Sequence, residues 1–240
     1  MQQKNLGKGL YMTLQEKKYK ATDKMAEIIS SDSSLLQVMT RFGMSLGFGD
    51  DDIMQVCKKQ AVDYETFLTV INFVSQKHTH MEESARVSVG ALLGYLKQSH
   101  KYFLEFALPG IREKLSAAIA GDNDDLSGLV LKFYDDYIAE VRRHMEYEEQ
   151  EVFPFVERLL EGKGEDMEKI STFSEYHDPV DEKLNELKNI IIKYYPSKGC
   201  NNLLNGVLFD IFSCEQELKS HCKIEDYLFV PAVRNLIKKR

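Results

Sequence analysis

Apolar residues return every three or four positions through most of this chain. That spacing belongs to amphipathic helices rather than to strands, whose apolar positions alternate. The clearest stretch carries Val87, Val89, Leu92, Leu93, Leu96 and Phe103, and predicts a helix over about 82–106 that ends near Pro109. Three more follow over about 126–161, 165–194 and 201–237. Residues 121–125 (GDNDD), 162–164 (GKG) and 196–199 (PSKG) separate them, and all three are turn compositions. Short connections between long helices imply antiparallel neighbours. The expected fold is all-α, an up-down-up-down four-helix bundle over residues 81–240.

Residues 1–80 read as a small helical unit followed by a linker. TDKMAEII and SSLLQVMTRF are short amphipathic segments with Thr or Ser in capping positions. Gly43, Gly47 and Gly49 mark a loop, and the acidic run after it can start a helix at DIMQVCKK. Asp63 is placed to cap YETFLTVINFV, and SQKHTH (75–80) reads as linker.

The balance of 43% apolar and 29% charged residues is that of an ordinary globular protein. A net charge of −7 leaves no broad basic face for phosphates, which argues against nucleic acid as a partner. No apolar run reaches eighteen residues, so no membrane span is expected, and residues 1–20 lack the apolar core of a signal peptide. Cys57, Cys200, Cys214 and Cys222 form neither a C-x-x-C pair nor a disulfide framework. Reduced thiols and a cytoplasmic location are the expectation.

Chemistry enters with the histidines. His100, His144, His177 and His221 fall one on each long helix, and the step of 44 residues occurs twice. The second member of each pair opens the same phrase, H-x3-E-x5-P: His144, Glu148, Pro154 and again His221, Glu225, Pro231. The text beyond is also alike, VFPFVERLL against FVPAVRNLI, so a repeat of about 77 residues relates the two halves of the bundle. Residues four apart share a helix face, so both glutamates can point inward with their histidines. Buried carboxylates without partners are costly, and cations between them would remove that cost. Twofold symmetry then gives each of two metals two imidazoles, with both carboxylates and a solvent-derived ligand bridging. Mixed nitrogen and oxygen donors with open positions suit iron, and manganese is an alternative; zinc more often takes four ligands.

A lone core histidine is usually only hydrogen-bonded, and a single H-x3-E is usually a surface pair. The repeat is what favours a site. The prolines are expected to kink their helices without taking part in chemistry. His78 and His80 read as solvated, and the EYEEQE run as a solvated face apart from Glu148. Asp181, four residues after His177, and the aromatics Tyr147 and Tyr176 are candidates to support the ligands from behind. No residue is singled out as catalytic.

The pattern H…H-x3-E…H…H-x3-E resembles the hemerythrin-like HHE cation-binding domain over roughly residues 82–238. It is more similar to the repair-of-iron-centres di-iron proteins than to the oxygen-carrying hemerythrins. The carriers place a fifth histidine where this chain has Asp181, and an aspartate five residues after the last histidine, whereas Glu225 stands at four. The resemblance implies the ligands His100, His144, Glu148, His177, His221 and Glu225 around two iron ions with an oxo or hydroxo bridge. It further implies a role in nitrosative or oxidative stress. The protein would bind or reduce NO, O₂ or peroxide, or supply iron to damaged iron–sulfur proteins. A sensing module without turnover and an iron store are the rivals, and a homodimer stays open. Residues 41–63 occupy the place of the adjacent-cysteine loop in the repair proteins, but Gly47 and Phe48 stand where Cys-Cys is expected.

Overall fold

The computed structural model describes residues 18–75, 87–120, 125–163, 178–195 and 201–238, the side chains of 178–182 excepted. The elements described are helical, joined by loops and one isolated bridge between Lys24 and Asp52. None of the helices is long and apolar enough to cross a membrane.

The N-terminal unit holds α1 (Met25–Ser31), α2 (Leu35–Arg41), α3 (Ile53–Lys59) and α4 (Tyr64–Ser75). Its start signals act as the sequence predicts at α3 and α4, whereas at α1 and α2 the N-cap residues are Lys24 and Ser34 and neither side chain caps its helix. Asp52 and Gln55 form a capping box at α3, and Asp63 accepts from the Thr66 amide at 2.8 Å to cap α4. Between α2 and α3 the chain turns through Gly43, Gly47 and Gly49, all at positive φ. Glycine is the residue that takes this conformation without a steric penalty.

Four rods follow. The first is α5 (Val89–Tyr102), a π-helical turn (Phe103–Ala107) and α6 (Leu108–Ile119). The second is α7 (Asp125–Tyr147), a π-helical turn (Glu148–Val152) and α8 (Phe153–Leu160). The third is α9 (Asp178–Tyr194). The fourth is α10 (Asn201–Ile224), a π-helical turn (Glu225–Phe229) and α11 (Val230–Lys238).

The first rod differs from expectation at both ends. Val87 and Ser88 are not helical, and Ser88 caps the helix by accepting from the Ala91 amide. At its far end the rod passes through Pro109 instead of stopping. Proline lacks an N–H, and its ring clashes with the carbonyl four residues back. The π-turn widens the helix there, and the residue before each proline bonds five residues back: Leu108 to Phe103, Phe153 to Glu148, Val230 to Glu225. Pro154 and Pro231 thus sit in continuous rods, each beyond a wide turn that starts on the glutamate of its H-x3-E phrase.

The first rod packs on the second and fourth, and the third closes the ring between those two. Each seam carries an ion pair: Arg112–Asp135, Lys114–Asp210, Lys183–Glu140 and Lys188–Glu215. Lys188–Glu215 is buried, whereas the other three are at least partly exposed, and exposed pairs contribute little to stability and serve mainly register. The apolar interior falls into two clusters. One contains Phe103, Leu115, Val130, Tyr134, Met145, Leu187 and Leu218. The other joins Leu92, Leu96, Phe153, Phe229 and Val233 of the bundle to Met25, Leu35, Val56, Phe67 and Ile71 of the N-terminal unit. In the first, second and fourth rods the boundary between them falls at His100, Glu148 and His221.

Candidate metal centre

Four side chains converge at that boundary. His100 comes from the first rod, Glu148 from the second, and His221 and Glu225 from the fourth. Their ligand-type atoms all lie within 4.8 Å of one another. His100, Glu148 and Glu225 are fully buried and His221 is 2% exposed, so bulk water screens none of them. His100 Nε2 is 3.0 Å from Glu148 Oε2 and 4.0 Å from Glu225 Oε1. Glu225 Oε1 is in turn 3.1 Å from His221 Nε2. Phe153 stacks on the His100 ring at 5.1 Å between centroids, and Phe103 meets the His221 ring edge-on at 5.8 Å. Apolar walls therefore fix both imidazoles.

His144 stands at the margin of this group. Its Nε2 is 3.3 Å from Glu148 Oε1, and its side chain is 9% exposed. Glu148 thus lies between two imidazoles, that of His100 on the first rod and that of His144 four residues before it. His177 and Tyr176 lie outside the described residues, and of Asp181 only its place in the first turns of α9 is described. Tyr147 is half-buried and packs against the cluster shared with the N-terminal unit. His78 and His80 also lie outside the described residues.

Glu149 is the residue that sequence reasoning passed over. It is half exposed, yet its Oε1 lies 3.3 Å from His100 Nδ1. Neighbouring residues of an α-helix diverge by about 100°. In the π-turn opening at Glu148, adjacent glutamates instead serve the two nitrogens of one ring. With the proton on Nδ1, held by Glu149, the Nε2 lone pair faces the other donors. A carboxylate behind an imidazole is the usual way a metal-binding histidine is oriented. The proline six residues after Glu148 was the available signal, because it demands a local departure from the α-helix.

Burial opposes a charge on His100. Hydrogen bonds to Glu148 and Glu149, with the charges of Glu148 and Glu225, outweigh it and raise the imidazole to about 9. Glu149 moves the other way, its carboxyl held down first by the His100 bond and opposed by partial burial. Two carboxylates and two imidazoles in a dry core form an acid–base cluster with more donor atoms than mutual hydrogen bonds can use. Neither ring nitrogen of His221 finds a hydrogen-bond partner among the described residues. This donor set fits a cation of the iron, manganese or zinc type.

Cys57 is buried in the N-terminal unit, where burial and then the Asp63 charge push its thiol up to about 12. It behaves as a small apolar side chain, as its sequence context suggests.

Among curated proteins none matches this chain. The family model for the hemerythrin HHE cation-binding domain does match, over residues 91–233. That span is more than half of the 240 residues and takes in the four converging side chains. With the helical bundle and the His/Glu cluster at its centre, the match places the chain in the hemerythrin HHE cation-binding family.

Proposed function

We propose that the protein is a non-haem di-iron protein of the nitrosative or oxidative stress response. It binds or reduces NO, O₂ or peroxide, or supplies iron for the repair of damaged iron–sulfur centres. The observation that carries this reading is the buried convergence of His100, Glu148, His221 and Glu225 within 4.8 Å, drawn from three rods. The full ligand set is His100, His144, Glu148, His177, His221 and Glu225. A bound iron pair supplies reversible electron transfer and open positions for a small ligand. The protein's own part is to hold and shield. Four imidazoles keep the donors largely neutral, while Glu148 and Glu225 supply the negative charge that offsets two cations in a medium of low dielectric. Glu149 fixes the proton of His100 on Nδ1, away from the centre. Phe103 and Phe153 restrict bulk water beside the rings.

Metal analysis of the full-length protein, expressed aerobically with added iron, should give about two irons per chain, the number that the six proposed ligands would hold as a pair. A content near zero, or one tightly held zinc, would overturn the reading. Rapid mixing of the reduced protein with NO, O₂ or hydrogen peroxide then separates functions. Catalytic consumption supports turnover, and a stable reversible adduct supports sensing. The sensing alternative gains from the N-terminal unit, whose helices share an apolar cluster with the rods just beyond His100 and Glu148.

A further inference from the structure

Between α2 and α4 of the N-terminal unit and α5 and α10 of the bundle lies a cleft of about 570 Å³. That size is within the range of small-molecule sites. Its lining carries three cationic side chains, Arg41, Lys219 and Lys223, against one carboxylate, Glu217. Glu217 is already engaged, 2.6 Å from the Arg41 guanidinium. Arg41 itself is only 4% exposed, an unusual place for a guanidinium, and its guanidinium carbon lies over the Tyr102 ring, 3.7 Å from the centroid. Lys219 reaches Glu215 at 3.0 Å, and Glu215 also pairs with the buried Lys188. The cleft is therefore a basic pocket on an acidic protein, with the buried Ser99 hydroxyl beside it.

His221 is among the residues that line the cleft. His221 Nε2 faces Glu225, and its other nitrogen, Nδ1, is buried with no hydrogen-bond partner among the described residues. A buried ring nitrogen without a hydrogen-bond partner is costly. His100 meets the same need through Glu149. Glu217, four residues before His221, is held by Arg41.

We propose that this cleft binds a small oxyanion, a carboxylate or a phosphate, one oxygen of which accepts the hydrogen bond from His221 Nδ1. Arg41, Lys219 and Lys223 balance its charge. The anion is to His221 what Glu149 is to His100, so its binding changes the donor strength of one proposed ligand. Through α2, the N-terminal unit supplies the wall that makes the site possible. The cationic cleft stands independently of the metal; the Nδ1 proton that the anion accepts is favoured by a cation on Nε2, so that bond and its effect on the centre rest on the di-iron reading.

The test uses the full-length protein, with and without bound iron, titrated calorimetrically with citrate and with inorganic phosphate at low ionic strength. Saturable binding of one anion per chain is expected, and the preferred probe tells carboxylate from phosphate. Lys223→Glu and Ser213→Trp alter the rim without touching a proposed ligand, and each should weaken binding about tenfold or more. In iron-free protein the bound anion should shift the ¹⁵N resonance of His221 Nδ1. No saturable heat with either anion, undiminished binding in both folded variants, or an unmoved His221 Nδ1 resonance each overturns the proposal. Anion binding by a protein that takes up no metal would sink the di-iron reading and leave this site standing. Iron uptake without anion binding would do the reverse.

Discussion

Glu148 lies within reach of two imidazoles, His100 at 3.0 Å and His144 at 3.3 Å, and Glu225 lies 3.1 Å from His221. If each carboxylate bridges two cations, Glu148→Ala and Glu225→Ala should lose metal to a similar degree. The double variant should then be scarcely worse than either single one, because effects on one shared site do not add. Metal content of the three proteins, measured beside circular dichroism to confirm folding, checks this. A silent Glu225→Ala, or simple additivity, would show that the glutamates do not share a centre. Glu149 sets a finer test. Its carboxylate holds His100 Nδ1 from behind, so Glu149→Gln should weaken metal binding by about 10–100-fold while leaving the stoichiometry intact. Competition with a chelator gives the affinity, and an unchanged value would reduce the 3.3 Å contact to a surface pairing.

The π-turns connect these residues to the rods that carry them. Three of them lie among the described residues of the bundle, and in each the proline stands six residues after the first residue of the turn: Phe103 and Pro109, Glu148 and Pro154, Glu225 and Pro231. Restoring an N–H with Pro154→Ala removes the clash that keeps the second-rod turn wide. A relaxed α-turn would rotate Glu148 and Glu149 relative to His100. The expected result is unchanged helix content with metal affinity several-fold weaker; equal affinity would show that the turn is held by the core instead of by proline. Much of this was legible in the chain. The H-x3-E phrases fix which faces point inward, because i and i+4 coincide on a helix, and the 77-residue repeat pairs Glu148 with Glu225. The passage of the first rod through Pro109 was not legible, since proline within a helical pattern ordinarily marks its end. Glu149 escaped for a related reason. An α-helical wheel puts it off the His144 face, and only the extra residue of a π-turn brings it to His100.

At the scale of the molecule, sequence divides the chain near residue 80, and we retain that division as a proposal about organisation. The interior runs across it. Met25, Leu35, Phe67 and Ile71 of the N-terminal unit share one apolar cluster with Leu92, Leu96, Phe153 and Phe229 of the bundle. Arg41 extends the contact by pairing with Glu217 on α10 and lying over Tyr102 on α5. No periodicity within either segment could announce this, because a helix face covered by a distant partner reads the same as one covered by its own bundle. The two descriptions separate in a chain beginning at Met81. All six proposed ligands remain in it, so it should still take up iron. It should also be less stable, because α5 and α11 lose their cover. Exposing the equivalent of two leucine side chains costs about 3–6 kcal/mol, a fall in Tm of roughly 6–20 °C for a domain of this size. Thermal unfolding of the iron-free full-length and truncated proteins measures the difference without interference from metal. A truncated bundle as stable as the whole would make the N-terminal unit an independent domain, whereas a marked loss with the iron content preserved would make it the lid on one end of the bundle's core.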